Sequence, residues 1–147
     1  MIDWNTLPDE NSFRFVAVLN KKIGTGELMN ALGHMTAGLS GLVGNPKEMY
    51  FLRYVDKDGG THPGVSHFPF IVLAADNSNQ IRTVRKEVIK RGLPFTDFTS
   101  TMAVGTSQEQ MKATAGASGS ELEYYGIVLF GKTNVIKEFT KKLSLFR

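Results

Sequence analysis

Apolar positions along this chain switch between two periods, and the switches mark the elements. "FRFVAVLN" (Phe13 to Asn20) is apolar and β-branched with little alternation, which predicts a strand covered on both faces. Leu28, Leu32, Met35, Leu39 and Leu42, with Ala31 beside them, then recur at three- and four-residue spacing, the stripe of a helix facing a core. "GNPKE" (Gly44 to Glu48) stops that helix with a glycine and a proline. Met49 to Asp56 predicts a second strand, "KDGGTHPG" a turn, and His67 to Asp76 a third strand with Pro69 near its start. The short connection predicts an antiparallel element there. Ile81, Val84, Val88 and Ile89 form the stripe of a second helix, which Asp76 or Ser78 is placed to cap. Gly92 and Pro94 end it, and Pro94 to Thr101 predicts a fourth strand. Thr106 and Glu109 have the spacing of a capping box, so a short helix starts there and decays into "ATAGASGSE". Leu122 to Gly131 predicts a fifth strand. The remaining residues begin as a helix, with Val135, Ile136 and Phe139 inward, and end as an apolar tail. Strands alternating with helices predict an α/β class with a mixed, mostly parallel sheet.

Composition narrows the class. A chain of 147 residues is read as one domain, 1–147, without repeats or a dividing linker. Cysteine is absent, which excludes disulfides, thiolate nucleophiles and cysteine zinc sites. "MIDWNTLPDENS" has early acids and no apolar core, so it does not read as a secretory signal. The longest apolar run, Phe68 to Ala75, is too short to cross a bilayer. The expectation is a soluble, cytoplasmic protein with no membrane partner. Charge is uneven: residues 1–79 hold six Lys/Arg and eight Asp/Glu, whereas residues 80–147 hold eleven and six. A basic half of that size suits phosphate-bearing ligands but is too weak to announce RNA binding.

The candidate chemistry lies on the first helix. Beside its apolar stripe runs a second line, Glu27, Asn30 and His34, followed by Ala37 or Gly38. Residues three and four apart share one face, so this is a polar face left open next to small residues. Gly24, Thr25 and Gly26 precede it directly after the first strand. Open α/β sheets bind ligands at the carboxyl ends of strands, and a helix N-terminus favours an anion. Histidine titrates near neutrality and serves as a general base. Each feature also has a structural reading: the glycines make a tight connection, Glu27 stabilises the helix dipole, and His34 borders a core. Asp97, Thr99 and Thr101 alternate along the fourth strand and point one way. If that strand lies beside the first, they line the same cleft as His34. A Rossmann fingerprint needs a glycine where Met29 stands, no P-loop lysine follows, and "GLSG" and "GASGS" lack nucleophile-elbow spacing. No cofactor is expected. His62 and His67 flank a Pro-Gly turn without an acidic pattern, so no metal site is expected either. Arg82, Arg85, Lys86 and Lys90 read as a solvated basic face of the second helix.

"IGTGELMNALGHMTAGL" resembles, without gaps, the signature of the type II peptidyl-tRNA hydrolases, M-G-K-G-K-x-A-A-Q-x-x-H-A. "KRGLPFTDF" is similar to that family's glycine-leucine-proline entry to its next strand, and "YYGIVLFGKTNVIKEFTKKLSL" to its final strand and helix. The whole chain also resembles the branch of that superfamily known as domain of unknown function 2000. The resemblance implies a three-layer α/β/α sandwich, often a homodimer. It places the motif histidine on His34 and the two glycines on Gly24 and Gly26. The motif lysine falls on Glu27, the glutamine on Ala31 and the aspartate on Ser100. Those replacements imply a pocket turned away from peptidyl-tRNA hydrolysis. The expectations are hydrolysis or acyl transfer on an ester or amide with His34 as general base, or a non-catalytic site for a small anionic, amino-bearing or acyl-bearing ligand. A third is an interaction protein that acts through its dimer surface.

Overall fold

The computed structural model describes residues 4–147. Met1 to Asp3, part of the stretch read for a leader, lie outside the described residues. The chain runs β1 (Phe13–Asn20), α1 (Thr25–Val43), α2 (Pro46–Met49), β2 (Tyr54–Val55), β3 (Thr61–His62), β4 (Phe70–Ala75), α3 (Ser78–Lys90), β5 (Phe95–Thr99), α4 (Ser107–Ala115), β6 (Tyr124–Lys132), α5 (Thr133–Thr140) and β7 (Ser144–Leu145). Short 3-10 turns occupy Trp4–Thr6 and Ser100–Met102.

Five strands form one mixed sheet in the order β5-β6-β1-β4-β7. Only β1–β4 is parallel; β1–β6, β5–β6 and β4–β7 are antiparallel. The expected mostly parallel sheet is therefore corrected. Residues 100–123 leave and rejoin the sheet at one end, where Ser100 N–H donates to Glu123 O at 2.9 Å. β5 and β6 are thus the arms of a wide hairpin rather than of a crossover. The apolar tail supplies the other antiparallel edge, with Ser144 opposite Ala74 and Leu145 opposite Leu73.

The second predicted strand is mostly not a strand. Met49 and Leu52 are buried as the pattern requires, but Tyr50 sits at φ 51 and turns the backbone between them. Extended pairing survives as the small β2–β3 ladder and one Phe51–Ser66 bridge.

Side chains of β1 alternate between two cores, as the doubly covered run predicted. Phe15, Ala17 and Leu19 pack with Leu28, Ala31, Met35 and Leu39 of α1. Val16 and Val18 pack with Ile81, Val84 and Val88 of α3 and Ile136 of α5. Leu42 and Ile89, both placed on inward stripes by spacing, are exposed. Each lies near the C-terminal end of its helix, where α1 and α3 give way to loop. α1 comes close to β6 because position 126 is glycine. A Cβ there would lie 2.8 Å from Val18 O and 3.0 Å from Met35 Cε.

Candidate functional site

β1 ends at Asn20, a buried amide that shapes the turn into α1. Its Nδ2 donates to Tyr124 O at 3.0 Å, and its Oδ1 accepts from Lys22 N–H at 3.0 Å. The first bond ties the carboxyl end of β1 to the start of β6. Gly24 is then the extended N-cap of α1 and offers no capping side chain. Gly26 has open space where a side chain would be, and Thr25 is exposed. A Cβ built on Gly24 would lie 3.6 Å from Glu27 Oε2, so the chain's own carboxylate covers the helix N-terminus. That placement favours the helix dipole and leaves little field for an outside anion.

Glu27, Asn30 and His34 are all exposed on α1, on the shared face that their spacing predicts. Two aromatic rings lie beneath this face. The His34 ring is 6.0 Å from Phe98 of β5, which is 5.5 Å from Tyr125 of β6. Tyr125 is only 9% exposed. Its hydroxyl has no hydrogen-bond partner among the described residues and is not one of the buried unpaired atoms, so it reaches solvent at the edge of the patch. Burial raises the phenol's pKa, and the nearby Glu27 and Glu123 carboxylates raise it further. Tyr125 therefore stays protonated and is available as a donor.

Asp97 and Thr99 are not gathered here. β6 separates β5 from β1, and Asp97 pairs with Arg85 of α3 at 2.8 Å, on the side of the sheet away from α1. The α1 side of β5 belongs to its neighbours: Thr96 donates to Met35 O at 2.6 Å, and Phe98 packs below His34. Thr99 is buried, with its hydroxyl 2.7 Å from Thr101, which is 2.7 Å from Thr114 of α4. That hydroxyl chain ties the 100–102 turn to α4. The expectation that Asp97 and Thr99 line the His34 cleft is corrected.

The other candidates have partners within the fold. His62 contacts Asp56 at 3.0 Å, and His67 contacts Pro8 O at 2.8 Å. No group of three metal-ligating side chains occurs among the described residues. Two arginines of the basic helix face are structural rather than merely solvated. Arg82 donates to Gly119 O at 3.2 Å, to Ser120 O at 3.1 Å and to Leu122 O, pinning the loop before β6. Arg85 holds Asp97.

Sequence reasoning missed Phe98 and Tyr125. Finding them requires the antiparallel register that sets the start of β6 beside the end of β1. The one local signal is "YYG", an aromatic pair before the glycine that admits α1.

Comparison with curated proteins finds no match. Among solved structures, a protein of unknown function from Agrobacterium tumefaciens strain C58 is similar in fold, with a TM-score of 0.79 at 18% identity, covering 92% of this chain and 98% of that one. Residues 13–147 match the family DUF2000, described as a protein of unknown function, and the chain belongs to that family.

Proposed function

We propose that the α1 face at the carboxyl end of the sheet binds a small amino-bearing acyl compound. Glu27 receives the ammonium group, Tyr125 donates to the acyl oxygen, and His34 with Phe98 supplies aromatic surface for the body of the ligand. The observation that carries this reading is Tyr125, whose ring is buried while its hydroxyl, without a partner among the described residues, reaches solvent near the Glu27 carboxylate. Two carboxylates around that phenol favour a cation over the anionic ligand expected from the glycine turn.

A hydrolytic reading rests on the same patch, since an exposed imidazole and a protonated phenol, each in ring contact with Phe98, supply a general base and an oxyanion donor. It ranks second because His34 has a ring contact and no hydrogen-bonded acceptor to orient it among the described residues. The chain is one three-layer α/β/α domain of the peptidyl-tRNA-hydrolase-like superfamily, supported by the α1 motif and by cores on both faces of β1. It works in the cytoplasm as a homodimer, for which the exposed Met29 and Leu42 on α1 are the support. RNA gains no strong support as a partner, since Arg82 and Arg85 of the basic helix face are engaged within the fold.

The test uses leucine methyl ester and its N-acetylated counterpart, with binding followed by amide shifts and hydrolysis by acid release. Saturable binding of the free amine, weakened at least tenfold by Glu27→Gln and by Tyr125→Phe, is expected. Equal binding of both esters, or of neither, would overturn the proposal. Acid release that disappears in His34→Ala would promote the hydrolytic reading.

A further inference from the structure

Two buried side-chain polar atoms lack a partner among the described residues, Arg14 Nε and Thr133 Oγ1. They belong to one corner of the fold, at the amino end of β1. Phe13 stands opposite Lys132 and Arg14 opposite Gly131, and Thr133 N–H donates to Ser12 O at 3.0 Å. Arg14 has the parity of Val16 and Val18, which pack against Ile136 of α5, so it points to the α5 side of the sheet. Position 131 faces the same way, because a Cβ there would lie 3.7 Å from Ile136 Cδ1. Thr133, 8% exposed, opens α5.

A groove of about 390 Å³ lies over this corner, lined by Ser12, Lys132, Thr133, Asn134 and Lys137 among others, and no acid lines it. Arg14, Lys132 and Lys137 are in no ion pair among the described residues. The neighbouring Asp9 carboxylate accepts from Asn11 N–H instead. No side chain caps α5 from Lys132. Val135 N–H is taken by Asn134 Oδ1 at 2.9 Å, and Asn134 N–H has no acceptor among the described residues. A helix start with free donors favours negative charge.

We infer that this groove is a binding site for a phosphoryl group at the N-terminus of α5, distinct from the His34 face. The donors come from the cap and the helix, and a tetrahedral oxyanion offers enough oxygens to accept from both, with charge assistance from Lys132 and Lys137 in the lining; Arg14 lies outside the lining and adds only its charge. Free phosphate and a small phosphomonoester share this chemistry.

The test titrates the full chain with inorganic phosphate and, separately, with glycerol 3-phosphate. The Asn134 amide is followed by NMR, with sodium chloride matched for ionic strength. Saturable shifts at Thr133 and Asn134 are expected, weakened at least tenfold in Lys137→Gln and measurably in Thr133→Val. Tighter binding of the ester would identify a phosphomonoester, and tighter binding of phosphate the free ion. Shifts that do not saturate, that scatter over all basic residues, or that persist unchanged in both variants would mean an adventitious ion only and overturn the inference. Lys137 is exposed, so that variant decides the matter even if Thr133→Val folds poorly.

Discussion

Valine in place of Thr133 keeps the shape of the side chain and removes a hydroxyl that no protein group answers. A buried unsatisfied hydroxyl costs about 1–3 kcal/mol. Thr133→Val should therefore raise stability by about 1 kcal/mol in phosphate-free buffer, measured by urea unfolding, while it weakens phosphate binding. A substitution that stabilises and impairs together is the mark of a group kept for a ligand. Gly126 presents the opposite case. A Cβ there meets Val18 O and Leu19 Cδ2, each at 2.8 Å, and the backbone oxygen has no room to yield. Gly126→Ala should cost about 1–3 kcal/mol by overpacking. The control is Gly131→Ala, whose nearest contact at 2.7 Å is the end of the Leu93 side chain and can swing away. It should cost clearly less in the same unfolding assay. Legibility at this scale follows distance along the chain. Glu27, Asn30 and His34 are read correctly as one face because helical spacing is local. Phe98 and Tyr125 reach them only through two strand pairings that spacing does not encode.

The start of α4 was legible in the sequence, and the start of α3 only to within a residue. Thr106 and Glu109 form the capping box that their spacing predicts. At α3 the cap is Asn77, whose side chain accepts from Gln80 N–H at 3.0 Å. Ser78 instead accepts from Tyr124 N–H at 3.0 Å, and Asp76 pairs with Lys21 at 2.7 Å. Three adjacent cap formers cannot be ranked without knowing which has a distant partner. The same limit hid the link between α3 and α5. Arg91, just past α3, bonds Glu87, reaches Glu138 of α5 at 3.3 Å and lies over the Phe139 ring at 4.9 Å. Its hydrogen bond holds the Glu87 carboxyl below its usual pKa. A depressed carboxylate pKa means the unfolded state takes up protons first as pH falls. The stabilisation from this pair is thus present at neutral pH and lost as pH drops through the folded pKa. Thermal midpoints of wild type and Arg91→Ala should differ at pH 7 and converge toward pH 3. A gap that stays constant with pH would assign Arg91's role to its ring contact and packing instead.

For the whole molecule, alternation of strands and helices correctly predicted the α/β class and failed on strand direction. A hairpin excursion over residues 100–123 and a crossover both appear in sequence as strand, helix, strand; the antiparallel β5–β6 register and the Ser100–Glu123 closure distinguish them. That topology places the two candidate sites far apart. The Glu27–Tyr125 patch lies at the carboxyl end of β1 on the α1 face, and the Thr133–Lys137 groove at its amino end beside α5. Eight residues of β1 at about 3.3 Å each set roughly 26 Å between the ends. β1 between them is buried on both faces and its side chains are locked into the two cores. Coupling requires differential binding to two states, so the sites should act independently. The phosphate Kd measured with and without saturating leucine methyl ester should agree within about twofold, and Tyr125→Phe with Lys137→Gln should combine additively, as distant sites do. A larger shift in either direction would require β1 or the cores that flank it to change state on binding. The affinity of each ligand would then be a probe of the other's site.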